Sequence, residues 1–145
     1  MELEEVFTVH VKILETFELR NSEDDSVVMI TFTGDVTGKY FEGIVLNGGV
    51  DTQVIGKGGD RHSLSARYML QGEDFTGQSC EIYIENNGNI NKKLKSSLFR
   101  TSPTIITNST ALSFLNSDIL VGEGKATDTG LDIIIYRVST SEEEC

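Results

Sequence analysis

The sequence predicts one all-β domain, closed into an antiparallel barrel of about eight to ten strands with at most one short helix. Three observations carry that expectation. Apolar residues alternate with polar ones at period two, turn-forming clusters recur at intervals of roughly ten residues, and no apolar pattern at helical spacing is long enough to build a helical layer. Closing the sheet removes the unpaired edges that an open sheet of so many strands would have to protect.

The first strand is the clearest. Phe7, Val9, Val11 and Ile13 face one way while Thr8, His10, Lys12 and Leu14 face the other. A polar cluster at 21–26 then leads into residues 27–33, rich in β-branched side chains and expected to stop at Gly34-Asp35. Residues 40–46 and 50–55 read as the next two strands, and the glycines of Asn47-Gly48-Gly49 between them suit a tight turn or a bulge. Gly56 to Asp60 links to a strand at 63–71, and a strand at 81–85 runs into Asn86-Asn87-Gly88-Asn89, a hairpin signal. Residues 94–101 read as a strand stopped by Pro103, the only proline. Residues 109–116 offer an N-cap serine and one or two helical turns. The last strands are expected at 119–124 and 131–138, followed by a flexible acidic tail at 139–145.

At 145 residues the chain fits a single domain spanning 1–145, whose folding would bury roughly 70% of its extended surface. Acidic residues outnumber basic ones 23 to 12, giving a net charge of −11. Such a chain repels phosphate backbones and anionic membrane surfaces, so neither nucleic acid nor membrane is an expected partner. The acidic start Met1-Glu2-Leu3-Glu4-Glu5 does not resemble a signal peptide, which points to the cytoplasm. Two cysteines, Cys80 and Cys145, are too few for a disulfide framework and are expected to be reduced thiols. His10 and His62 stand apart from other metal-ligating residues, so no metal site is expected. Gly56-Lys57-Gly58-Gly59 lacks the pattern and following helix of a phosphate loop, and no cofactor is implied. A homodimer is the commonest assembly for a chain of this kind.

Gly43, Gly48-Gly49-Val50-Asp51, Ala66-Arg67-Tyr68, Ile82-Tyr83, Asn87-Gly88, Phe99-Arg100-Thr101, Leu115-Asn116 and Gly122 form an ordered set from about residue 34 to the last strand. That set resembles the bacterial domain of unknown function 3237 (DUF3237), also called uncharacterised protein family 0311 (UPF0311). The resemblance implies a small barrel of calycin-like or outer-membrane-like shape that is nevertheless soluble, with no established general activity. Three positions depart from the family's pattern. Thr52 and Phe114 stand where tryptophans are usual, which suggests a pocket of different shape and stacking ability, and Ser65 replaces an acid that would pair with Arg67.

In a small barrel alternate side chains point inward, and polar ones near a mouth mark where a ligand would sit. Asp51, Arg67, Tyr83 and Arg100 are the candidates for such a site. If they converge, an arginine would hold an anionic group while Asp51 served as general base. The competing reading makes Asp51 and an arginine a satisfied ion pair between strands. Tyr68 and Asn116 are candidate pocket residues, with a packing role for the tyrosine and a capping role for the asparagine as alternatives. Three functions stay open: a barrel binding a small, partly apolar and anionic molecule; a cofactor-free isomerase, cyclase or hydrolase using Asp51 with Arg67 or Tyr83; and a structural or oligomer-forming module with a filled interior.

Overall fold

A computed structural model of the chain describes residues 2–59, 61–90, 99–128 and 130–139. Nine strands are found among them: β1 (Glu2–Leu19), β2 (Ser26–Thr37), β3 (Phe41–Val45), β4 (Gly49–Ile55), β5 (His62–Asp74), β6 (Ser79–Ile90), β7 (Phe99–Thr107), β8 (Leu120–Thr127) and β9 (Gly130–Ser139). All neighbouring pairs are antiparallel, and the sheet closes because β1 pairs with β9 on one side and β2 on the other. The ring has eight positions, since β3 and β4 share one.

That shared position explains the glycines at 47–49. Both β3 and β4 pair with β2 and with β5: Ile44 lies opposite Asp35 and Gln71, Asp51 opposite Ile30 and Ala66. The two strands therefore run end to end, and Asn47-Gly48 is a break in one line rather than a hairpin. Gly48 makes the break with a φ of +108°, in the region that a side chain disfavours.

Three turn signals are overridden by strand pairing. Gly34 does not stop β2; its φ of +152° lets the strand run on against β1, where a Cβ would stand 2.0 Å from the His10 carbonyl oxygen. Asn86 to Asn89 do not form a hairpin either, being the continuation of β6 opposite β5 and β7. Gly88 permits that pairing because a Cβ there would meet the Arg100 oxygen and the Thr101 methyl at 2.7 Å. Pro103 lies inside β7 opposite Asn86. It is tolerated because β8 pairs only with Phe99 to Thr101, which leaves the other edge of β7 free of a ladder at the proline. The expected strand at 94–101 falls partly outside the described residues, as does most of the acidic tail.

The inward members of the alternation form the core. Val9 and Val11 of β1, Leu64, Ala66, Tyr68 and Leu70 of β5, Ile82 and Ile84 of β6, and Ile133 and Ile135 of β9 are all buried. One end of the ring is plugged by residues 109–116, which include the expected short 3₁₀ turn (Ser113–Asn116). Leu112 and Leu115 drop from it into the core. Its anchor is Asp74 at the end of β5, a buried carboxylate that accepts from the Thr76 hydroxyl, the Ser109 hydroxyl, and the Thr76 and Gln78 amides. Ser109 in turn accepts the Leu112 N–H, which ties the loop ahead of the turn; the expected cap is not formed, because the 3₁₀ turn begins after Leu112 and has no side-chain cap.

These bonds, led by those from Thr76 and Ser109, hold the Asp74 carboxyl at about 2, below its ordinary 3.8. A lowered folded-state pKa stabilises the protein above the ordinary carboxyl value, and that contribution is lost as pH falls toward 2. Asp74→Asn is therefore expected to lower the thermal midpoint by several degrees at pH 7. The gap from the unsubstituted protein should narrow steadily between about pH 5 and pH 2 in a pH series of melting curves. A gap independent of pH would mean that the charge of Asp74 contributes nothing.

Candidate functional site

The end of the ring opposite the plug holds a cavity of about 370 Å³. Its walls are apolar: Val11 and Ile13 of β1, Ile30 and Phe32 of β2, Leu64 and Ala66 of β5, and Leu131 and Ile133 of β9. Asp51, Gln53 and Asn86 are its polar lining residues. Strand pairing places them. Asp51 lies directly opposite Ala66, which lies directly opposite Asn86, so the carboxylate and the amide flank the smallest side chain of a three-strand row. Tyr68, two residues along β5 on the same face, is 3% exposed, with its ring set edge-on to Phe32 at 5.2 Å.

The hydrogen bonding of this row is incomplete. Gln53 donates from Nε2 to Asp51 Oδ2 at 2.8 Å, and His62 Nε2 donates to Gln53 Oε1 at 2.7 Å, which fixes the orientation of the Gln53 amide. The other carboxylate oxygen, Asp51 Oδ1, is buried with no partner among the described residues. The Thr101 hydroxyl is buried in the same state, and the buried Tyr68 hydroxyl and Asn86 amide have only one another to bond. Burial raises the Asp51 pKa, opposed by the Gln53 hydrogen bond and the neighbouring His62. Burial likewise raises that of Tyr68, with the Asp51 charge adding to it and Asn86 working against it, so the phenol stays protonated.

The expected convergence of Asp51 with Arg67, Tyr83 and Arg100 does not occur. Arg67 lies between the inward Ala66 and Tyr68, so it faces outward, 62% exposed and 3.7 Å from Glu85. The Tyr83 hydroxyl donates to the same Glu85 on the outer surface. The Arg100 side chain is 60% exposed and 3.5 Å from Glu123. Asn116 belongs to the plug, where its Oδ1 accepts the Thr107 N–H. Of the six candidates, Asp51 and Tyr68 are brought together.

Asn86 was hidden by its neighbours Asn87-Gly88-Asn89, which read as a turn. The signal that reveals it is parity, because Cys80, Ile82, Ile84 and Asn86 form one buried series along β6. The two departures at tryptophan positions do not touch the pocket. Thr52 alternates away from it, opposite Met29 and Ser65, and Phe114 packs in the plug between Tyr40 and Arg137. Ser65 leaves Arg67 with Glu85 as its acid. No group of metal-ligating side chains is found among the described residues, nor any helix long and apolar enough to cross a membrane.

Residues 1–140 match the model of a family described as a protein of unknown function, DUF3237. The chain belongs to this family. A relative from Clostridium acetobutylicum, described as a UPF0311 protein, is 36% identical over 92 residues, covering 61% of this chain and 54% of that protein. The match thus spans about half the length of that curated relative. A solved structure of a protein of unknown function from the same organism superposes with a TM-score of 0.79 at 26% identity, covering 96% of this chain and all of the other. A structure described as a β-barrel-like protein from Acinetobacter baumannii gives a TM-score of 0.75 at 22% identity, with 95% and 96% covered. Both neighbours share the ring fold.

Proposed function

We propose that this DUF3237 protein binds a small, neutral, largely apolar molecule within its ring. The observation that carries the reading is the cavity of about 370 Å³, whose apolar walls include the open Oδ1 of Asp51 and the Asn86 amide in their lining. A mostly apolar hollow with a few convergent polar groups is the general form of a small-molecule site. Leaving buried polar atoms unpaired costs about 1–3 kcal/mol each, which a ligand's own polar group would offset. An anionic ligand fits poorly, because no lysine or arginine is among the described lining residues and Asp51 would repel it.

Calorimetric titration with 2-naphthol and with 2-naphthoate tests this. The neutral compound is expected to bind at least tenfold more tightly than the anion. Ala66→Phe, which fills the gap between Asp51 and Asn86, is expected to abolish 2-naphthol binding while the far-ultraviolet circular dichroism stays unchanged. Equal affinity for the two compounds, or undiminished binding in Ala66→Phe, would refute the assignment.

A further inference from the structure

We infer that the pocket transfers protons on neutral, enolisable carbonyl compounds, with Asp51 as the base and Tyr68 and Asn86 as the donors that hold the carbonyl oxygen. The inference rests on the binding reading above and adds a reaction to it.

The argument starts from which atoms are left unpaired. A site that only enclosed an apolar body would gain nothing from an open carboxylate oxygen beside a buried phenol and primary amide that have only one another to bond. Here their roles are complementary. Asp51 Oδ1 is a pure acceptor when ionised, while the protonated Tyr68 hydroxyl and the Asn86 Nδ2 are donors. Adjacent strands lie about 4.8 Å apart, so Asp51 and Asn86 stand two strand spacings from one another, about 10 Å at the backbone. Only the methyl of Ala66 lies between them in the row. The Asn86 amide leans toward β8, its two polar atoms 3.2 and 3.3 Å from where a Gly122 Cβ would stand, so the row above Ala66 is left open between it and Asp51. Tyr68 is the next inward residue beyond Ala66 on the same strand; it lies immediately behind the lining residues Ala66 and Phe32, with its ring fixed by Phe32.

The second feature is how Asp51 is held. Its Oδ2 is tethered by Gln53, which is itself oriented by His62, so the carboxylate cannot turn its open oxygen away from the cavity without breaking that chain. A carboxylate held in place, with one oxygen stripped of hydrogen bonds in apolar surroundings, is a stronger base than one in water. The pattern of a carboxylate base facing a tyrosine donor in a dry pocket is an established solution for enolisation.

The chemistry balances with no redox partner. Asp51 Oδ1 takes a proton from the carbon next to the carbonyl; that C–H pair becomes the C=C bond, and the C=O pair moves onto oxygen. Tyr68 and Asn86 donate hydrogen bonds to the oxygen as its charge grows. Return of that proton from Asp51 to the same carbon regenerates the ketone; exchange results when the Asp51 carboxyl first trades its proton for a deuteron of the solvent and delivers that instead, and delivery to the far end of a conjugated system moves the double bond.

The probe is 2-tetralone, a neutral bicyclic ketone, dissolved in deuterated water. Exchange of its α-protons is followed by NMR, and its binding by calorimetry on the same samples. The folded protein is expected to accelerate exchange at least 100-fold over the Asp51→Asn variant. Tyr68→Phe is expected to slow it at least tenfold. Rates are compared at ketone concentrations that the calorimetry shows to saturate each variant, so that a loss of exchange is not a loss of binding, and Asp51→Glu should restore part of the rate. The rate should rise with pH through an inflection above 3.8, the ordinary carboxyl value. Binding of 2-tetralone with exchange no faster than in Asp51→Asn overturns the proton-transfer inference and leaves the binding reading intact. Binding of 2-naphthol but not 2-tetralone overturns the carbonyl class. Failure to bind either compound overturns the binding reading itself.

Discussion

Phe7→Ala is expected to destabilise the protein by about 3–5 kcal/mol, the cost of emptying a buried aromatic site that cannot fully collapse. Phe7 is 0% exposed and its ring packs against Phe41 at 5.9 Å. The two side chains join β1 to β3, which are not neighbours along the ring ladder, so the contact braces the interior across the sheet rather than along it. With domain stabilities of about 5–15 kcal/mol, the loss should lower the midpoint of thermal unfolding by roughly 10 °C or more. Because the ligand cavity does not include Phe7 or Phe41, 2-naphthol binding should persist below that lowered midpoint. A change under about 1 kcal/mol in urea unfolding would show that the plugged end of the ring is loosely packed.

Gly72→Ala is expected to be comparably damaging for a different reason. Gly72 of β5 lies directly opposite Gly43 of β3. A Cβ at Gly72 would stand 2.0 Å from the Glu42 carbonyl oxygen and 2.6 Å from the Gly43 Cα. These are backbone atoms, which cannot step aside as a side chain can, so the β3–β5 ladder must separate. The expected loss is about 3 kcal/mol or more, with the slope of urea unfolding unchanged. An unaltered unfolding midpoint in the Gly72→Ala variant would mean that the two strands do not approach as described.

The closed ring was legible because period-two alternation is a direct consequence of the pleat, and it survives wherever one face is buried. The places where reading failed were those where local turn chemistry competed with pairing. Asn86 to Asn89 and Pro103 carry strong turn signals, yet β5 and β7 supply β6 with partners on both edges, and Pro103 falls where the missing N–H is not needed. The division of one ring position between β3 and β4 was not legible, since a glycine pair marks a reversal and a break equally well.

The site was half legible for the same reason. Parity groups residues by face without saying which face is inside. The glycines beside Asp51 mark it as lying near a strand end, and Tyr68 shares its face with Leu64, Ala66 and Leu70. Arg67 has the chemistry of a site residue, but the apolar side chains of Ala66 and Tyr68 on either side assign it to the outer face. Asn86 required the opposite inference, that a polar residue continuing an apolar series belongs with that series.

The central claim is that the apolar interior beside Asp51, and not the apolar outer surface, is the binding site. Intermolecular nuclear Overhauser effects between 2-naphthol and methyl-labelled protein test it most directly. The expected result is cross-peaks to the inward methyls of Leu64, Ala66 and Ile133, and none to the outward Ile44, Met69 and Ile106. Cross-peaks confined to the outward three would contradict it.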